Sequence, residues 1–258
     1  MGAYNCASVV RQAIESILAQ TFNDWEFIIC DDCSRDDTYA VIEQYARKDC
    51  RIRLLHNEKN CYLAFSLNQC LSVATGEYVA RMDADDIALP ERLEEQVAFL
   101  DAHPEYSVVG SGVMLYDAEG DKQLLLNTEI PHVREMKHCV PFFHPTIMMR
   151  RAVYQSLGGY VVEERTRRGQ DMDLWFRFFA KGYKGYNLQI PLLKYHDDLN
   201  DYKKKSSMKM AKGTAKTLYL GFRDNHFPLY DYVWTLIPII TALLPRSIVY
   251  FIHKIRTK

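Results

Sequence analysis

No stretch of about 20 apolar residues, the length a membrane-spanning helix needs, occurs in the 258-residue chain. That argues against a polytopic membrane protein. Neither sign of charge dominates: 32 Lys and Arg stand against 33 Asp and Glu, a formal net charge of −1, so the bulk charge carries no nucleic-acid footprint. Gly-x-Gly-x-x-Gly does not follow the first predicted strand, and Gly-x-x-x-x-Gly-Lys-[Ser/Thr] is missing, which disfavours a dinucleotide oxidoreductase and a P-loop ATPase. His-Glu-x-x-His, Gly-x-Ser-x-Gly and the kinase signatures are also missing. There is no internal repeat and no low-complexity linker. With 48% apolar and 25% charged residues, disorder and collagen-like repeats are disfavoured too.

What is present is enough chain to bury a core without staples, as one large domain or two closely packed halves. The seven cysteines are an odd, scattered set (Cys6, Cys30, Cys33, Cys50, Cys61, Cys70, Cys139). Met1 is followed at once by a turn-like Gly2-Ala3-Tyr4-Asn5 rather than a secretory signal, so reduced thiols in a cytoplasmic protein are expected. Cys30 and Cys33 form a Cys-x-x-Cys pair without a second pair, read as a strand-end cysteine followed by a loop cysteine over a redox or zinc motif. From Tyr202 to Lys258 eleven Lys and Arg face two Asp, an asymmetry that suggests a surface partner for the tail.

The first ~115 residues alternate helix and strand patterns. Val10, Ala13, Ile14, Ile17 and Leu18 recur at helical spacing; Glu26–Cys30 is a strand-type run. Val41, Ile42 and Tyr45 mark a second helix, Ile52–Leu55 a second strand, Leu63, Leu67 and Leu71 a third helix, and Glu77–Arg81 another strand. Helices between strands imply right-handed crossovers and a parallel sheet. Later, Tyr106–Tyr116 and Thr146–Arg150 read as strands, Asp117–Lys122 as polar turns, Gly158-Gly159 as a turn and Asp171–Lys181 as an amphipathic helix. A sheet of this kind would open on an apolar strand, yet the first helix begins about seven residues in. The expectation is therefore a strand upstream of Met1.

Three carboxylate groupings could do chemistry. Asp31 and Asp32 directly follow a strand, where open α/β sheets bind ligands; they either accept hydrogen bonds from a nucleotide or cap the next helix. Asp83, Asp85 and Asp86 crowd four positions, and three carboxylates repel unless something positive lies between them. Mg²⁺ or Mn²⁺ bridging to phosphate is one reading, a solvated acidic loop the other. Asp171 and Asp173 open a helix after Arg165, Arg167 and Arg168. Capping at the positive helix end is one reading; a general base with arginines near a diphosphate is the other.

Together these stretches resemble family-2 glycosyltransferases of the GT-A fold, of the bacterial surface-polysaccharide type. Met1–Asn5 resembles the family's first loop; Asp31-Asp32-Cys33-Ser34 with Asp36, Asp37 and Thr38 resembles its DDGS-x-D-x-T; Arg81–Asp86 resembles its D-x-D motif. Gly158-Gly159-Tyr160 and Gln170–Trp175 resemble its GG[YF] and ED-x-x-LW segments. The likeness spans about residues 1 to 200, in order. It implies an α/β fold with a Rossmann-like, mostly parallel sheet flanked by helices. It implies a nucleotide-sugar-binding half over 1–115, an acceptor-binding half with the base over 116–200, and a basic, apolar tail over 201–258.

By the resemblance, Ala3 and Tyr4 line the nucleotide pocket, and Asp32, with Asp31, contacts the base. Arg81 and Asp83 bind substrate, with Asp83 near the ribose, Asp85 ligates Mn²⁺ or Mg²⁺, and Arg167 and Arg168 lie near the diphosphate. Asp171 is the catalytic base and Asp173 a support. Cys33 stands where the family has glycine, and Gln170 where it has an acid. The processive-synthase Q-x-x-R-W is missing, so one sugar per encounter is expected.

The tail joins six lysines between Lys203 and Lys216 to an uncharged run, Val233–Pro245, that is too short to span a bilayer. Either it docks as an interfacial segment on an anionic membrane, or it packs back on the enzyme or a second copy. The reading at this point is an inverting glycosyltransferase taking a nucleotide-diphosphate sugar, UDP by default. It would act on a glycan or lipid-linked acceptor at the inner face of the cell membrane. A nucleotidyltransferase, betrayed by pyrophosphate release, and a non-catalytic nucleotide-sugar-binding protein are the rivals.

Overall fold

The computed structural model describes residues 1–117, 119–196 and 207–244. The first half is built by crossover. Strand β1 (Gly2–Ala3) leads to helix α1 (Val10–Leu18), β2 (Phe27–Asp31), α2 (Thr38–Ala46), β3 (Ile52–His56), α3 (Tyr62–Val73) and β4 (Tyr78–Ala80). Strands β1, β2 and β3 pair in parallel, Phe27 opposite Ile52 and Gly2 opposite Cys30. All of β2 is buried, as a run covered on both faces should be. The α1 residues Val10, Ala13, Ile14 and Ile17 close over Phe27 and Ile29. The turn-like opening residues Gly2-Ala3 are thus strand.

The expectation of a mostly parallel sheet needs correction. The chain continues through β5 (Ile87–Ala88), α4 (Arg92–Ala102), β6 (Val108–Asp117), β7 (Gly120–Leu125), β8 (Met148–Arg150), α5 (Arg151–Leu157), α6 (Gln170–Ala180) and β9 (Gly185–His196). The second sheet has the order β4-β8-β6-β9-β5 with β7 beside β6. Only β6 and β9 in it run parallel. For β6 and β7 the reason is connectivity: they are a hairpin, which forces antiparallel pairing. The fold class stays α/β, with a mixed sheet.

Two glycines of the second half are needed for their backbone. Gly158 and Gly159 take φ of +70° and +69°, ending α5, and a Cβ on Gly159 would stand 2.6 Å from the Asn68 side chain. Asn68 in turn exchanges two hydrogen bonds with the Tyr160 backbone, so this motif docks α5 onto α3. By contrast Cys33, where a glycine would suit, sits at φ +61°. Left-handed backbone costs a non-glycine residue roughly 1–2 kcal/mol, partly offset by glycine's larger folding entropy. Cys33→Gly is therefore expected to raise Tm by a few degrees, about 2–4 °C per kcal/mol. An unchanged or lower Tm in calorimetry would contradict this.

Helix α7 (Met208–Asp224) packs back on the body: Leu218 and Phe222 join a core with Trp175, Phe176 and Phe178. A Cβ on Gly221 would overlap the Phe176 ring at 2.2 Å. A 3₁₀ segment, Leu229–Leu236, and α8 (Ile237–Leu243) follow. Of the tail features, Lys203–Lys205 and residues 245–258 lie outside the described residues. Among those described, no helix is long and apolar enough to cross a membrane.

Candidate active site

The carboxyl ends of β1, β2 and β4 converge on one cleft of about 370 Å³. Its walls include Ala3, Tyr4, Asp32, Asp83 and Asp85, with Ser66 and Leu63 from α3. Five residues singled out from sequence thus meet, although 82 positions separate Ala3 from Asp85.

Asp31 is different. It is fully buried and is not among the cleft's lining residues. Its Oδ2 accepts from the Ser34 backbone N–H at 3.1 Å and lies 3.0 Å from His56 Nδ1. Asp32 is held by three N–H donors: Asn57 Nδ2 at 2.7 Å, Cys61 N at 2.8 Å and Tyr62 N at 2.7 Å. It ties β2 to the start of α3 rather than capping the next helix, α2, and it lines the cleft. Ser34, Asp36 and Thr38 accept backbone N–H bonds from Asn5, Ala7 and Cys6. The rest of that motif therefore shapes the loop after Tyr4.

In the acidic loop, Arg81 is buried and grips Asp83 with both terminal nitrogens at 2.5 Å, the bidentate geometry favoured between guanidinium and carboxylate. Burial works most strongly against the Arg81 charge, but Asp83, by charge and hydrogen bond, together with Tyr160 and Asp86 outweighs it, so its pKa is raised. Carboxylate oxygens of Asp83, Asp85 and Asp86 lie within 4.8 Å of one another. Burial, then the charges of Asp83 and Asp85, push Asp86 up to about 8. Asp85 is raised by desolvation, then by Asp83. Asp86 Oδ2 is buried with no hydrogen-bond partner among the described residues. Clustered carboxylate oxygens, one of them buried without a partner, fit a hard divalent cation. Asp86 belongs to the same carboxylate group as Asp85, and the D-x-D spacing alone did not single it out.

Asp171 opens α6 beside this loop. Burial raises its pKa, while the Met172 N–H, which it accepts at 2.8 Å, and the nearby Arg81 charge lower it, and Asp83 raises it. Asp173 is buried and paired instead with Arg165 at 2.6 Å and Arg177 at 2.8 Å. Arg167 lies 3.5 Å over the Tyr62 ring, and Arg168 is exposed. Leu174, Trp175 and Phe178 of the same helix are wholly buried, so the apolar residues of that segment are core. Sequence reasoning did not find Tyr62, whose φ of +68° aims its N–H at Asp32. It also missed Arg92, which is fully buried and bonds the Arg81 and Pro145 carbonyls. Neither had a local signal, since each works through residues far along the chain.

Comparison with known proteins identifies the family and the fold. The model of glycosyl transferase family 2 matches residues 1–158. The chain is 44% identical over 257 residues to the putative glycosyltransferase EpsE of Bacillus subtilis, covering 99% of this chain and 92% of that one. It is 28% identical over 190 residues to WfaP of Escherichia coli, a UDP-Glc:α-D-GlcNAc-diphosphoundecaprenol β-1,3-glucosyltransferase, covering 74% and 72%. The fold matches the mannosyltransferase PcManGT of Pyrobaculum calidifontis, solved with GDP-Man and Mn²⁺. The TM-score is 0.64 at 16% identity, over 98% of this chain and 77% of that one. The chain belongs to glycosyl transferase family 2 and is a glycosyltransferase of GT-A fold.

Proposed function

We propose that the chain is an inverting glycosyltransferase. It moves one sugar from a nucleoside-diphosphate donor, UDP-linked first, to a glycan or lipid-linked acceptor in cell-surface polysaccharide synthesis. The observation that carries this is the meeting of Ala3, Tyr4, Asp32, Asp83 and Asp85 in one cleft, with Asp171 electrostatically coupled to Asp83 and Arg81. WfaP, by its name, uses a UDP-sugar and a diphosphoundecaprenol acceptor, which supports the donor and acceptor classes.

In this reading residues 1–115 hold the donor and 116–200 the acceptor. Asp171 takes the proton of the acceptor hydroxyl. That oxygen attacks the anomeric carbon from the face opposite the nucleotide, and the bond to the diphosphate breaks with its electron pair leaving on the diphosphate. Holding both reactants supplies much of the rate. Asp85 and Asp86, with Asp83 steadied by Arg81, would hold Mn²⁺ or Mg²⁺, which when bound neutralises charge on the diphosphate. Arg167 and Arg168 stand on the loop before the base, as guanidinium partners for phosphate.

Thermal unfolding with UDP, GDP, dTDP and CDP, each with and without Mn²⁺, tests the donor site. Ligand at 100 times Kd stabilises by ~2.7 kcal/mol. A shift for one nucleotide that needs metal and vanishes in Asp85→Ala is expected; no shift with any of them would defeat the reading. The Mn²⁺ effect should also grow between about pH 6 and pH 9. Asp86 is raised to about 8, and bound protons compete with metal. A flat profile would remove Asp86 from the site.

The working place we infer is the inner membrane face. Leu229, Tyr230, Val233, Ile240 and Leu243, all within one short stretch of chain, are exposed large apolar side chains, and grouped exposed apolar residues mark interaction surfaces. The basic residues Arg246, Lys254, Arg256 and Lys258 follow it in sequence. Co-sedimentation with anionic liposomes should be lost when residues 233 to 258 are removed.

A further inference from the structure

The acidic loop, Met82 to Asp86, leaves β4 and belongs to no strand until β5 begins at Ile87. Its three carboxylates lie within 4.8 Å of one another, and like charges that close drive a loop apart. The Arg81 side chain grips Asp83. The backbone that carries Asp85 and Asp86 has to be held by other groups.

Two donors from distant parts of the chain hold it. At the entrance to the loop, the Arg81 carbonyl accepts from Arg92 Nη2 at 2.6 Å. Near its far end, the Asp85 carbonyl accepts from the Tyr116 hydroxyl at 2.8 Å. Arg92, on α4, is wholly enclosed. The same nitrogen donates to Pro145 O at 2.9 Å, and its Nε donates to Gln96 Oε1 at 3.2 Å. Gln96 in turn donates to the Thr146 and Val109 carbonyls. Burial pulls the Arg92 pKa down to about 10 against the charge of Asp86, so the guanidinium stays charged at neutral pH.

Tyr116 is fixed in its own right. It stands opposite His196 in the parallel register of β6 and β9, with the two rings 5.4 Å apart. The His196 N–H donates to Asp86 Oδ1 at 3.2 Å. The ends of these two strands thus give one donor each to consecutive residues of the loop. Neither Arg92 nor Tyr116 is a wall of the donor cleft, so each bears on the carboxylates through the loop backbone.

We infer that Arg92 and Tyr116 are positioning residues: they pin the acidic loop at the Arg81 and Asp85 carbonyls and so set the spacing of Asp83, Asp85 and Asp86 for a divalent cation. This rests on the reading that the loop holds Mn²⁺ or Mg²⁺. Groups behind the ligands tune metal affinity by orienting them, and a loop pinned at one carbonyl only is free to splay its carboxylates.

Titration of the full chain with Mn²⁺ alone, followed by the EPR signal of the free ion, is the test. Tyr116→Phe removes one hydroxyl and changes no charge. Arg92→Lys keeps the charge and loses the planar fork. Each should raise the Mn²⁺ Kd about three- to tenfold, the worth of one hydrogen bond. Leu218→Ala, in the core under α7, is the comparison for a merely structural loss: it should lower Tm and keep the native Kd. A native Kd in either variant, or an equal rise in Leu218→Ala, would overturn the inference and leave the metal reading standing. If Arg92→Lys fails to fold, Tyr116→Phe alone decides. A native chain that takes up no Mn²⁺ would overturn the metal reading and this inference together.

Discussion

Asp171→Asn is expected to lower turnover about 10²–10⁴-fold, the usual contribution of a positioned general base, with donor affinity unchanged. Asparagine keeps the size and the hydrogen bond from the Met172 N–H, but it does not take a proton. Burial raises the Asp171 pKa, so its ionised form is disfavoured in the folded protein. Its contribution to stability is therefore fully present below the ordinary carboxylate range and is lost as pH rises through the raised value. At neutral pH the asparagine variant should melt no lower than the native protein, and the native rate should rise with pH as Asp171 loses its proton. Steady-state kinetics with nucleotide-shift measurements on the same variant check both halves. Native turnover would remove Asp171 from the chemistry.

Asp173→Ala should do the opposite. Residues two apart on a helix point about 200° from one another, so these two carboxylates do not share a face. Asp173 is buried between Arg165 and Arg177. Arg165 also reaches Thr217 on α7, and Arg177 reaches the Leu157 and Gly159 carbonyls. Removing the carboxylate leaves two guanidiniums facing each other, and breaking a buried pair this way typically costs ~3–5 kcal/mol. A fall in Tm of about 10 °C is expected, and any loss of activity should follow the unfolded fraction. A variant that melts normally but is inactive would make Asp173 part of the reaction and not of the scaffold. Adjacent acids in one motif are thus separated by their partners.

The sequence by itself determined the first half of the fold. Helical spacing at Val10–Leu18 and the apolar run before Asp31 are local signals, and crossover connection leaves parallel pairing as the outcome. It also determined which residue types to look for, since carboxylates after strand ends stand where open α/β sheets bind ligands. It did not reveal β9, where Pro191 interrupts the pattern opposite Gly112 and the register shifts. Nor did it reveal β7, whose polar, exposed strand reads as a turn.

Tertiary structure decided what depends on partners distant in sequence. Asp31 went under the cleft, held by Ser34 and beside His56, while Asp32 went to its edge, because neighbouring residues on a strand point to opposite faces. Alpha-helix α7 took its lysine-rich sequence back against Phe176, since an amphipathic helix is placed by the apolar surface available to it, whatever its charge.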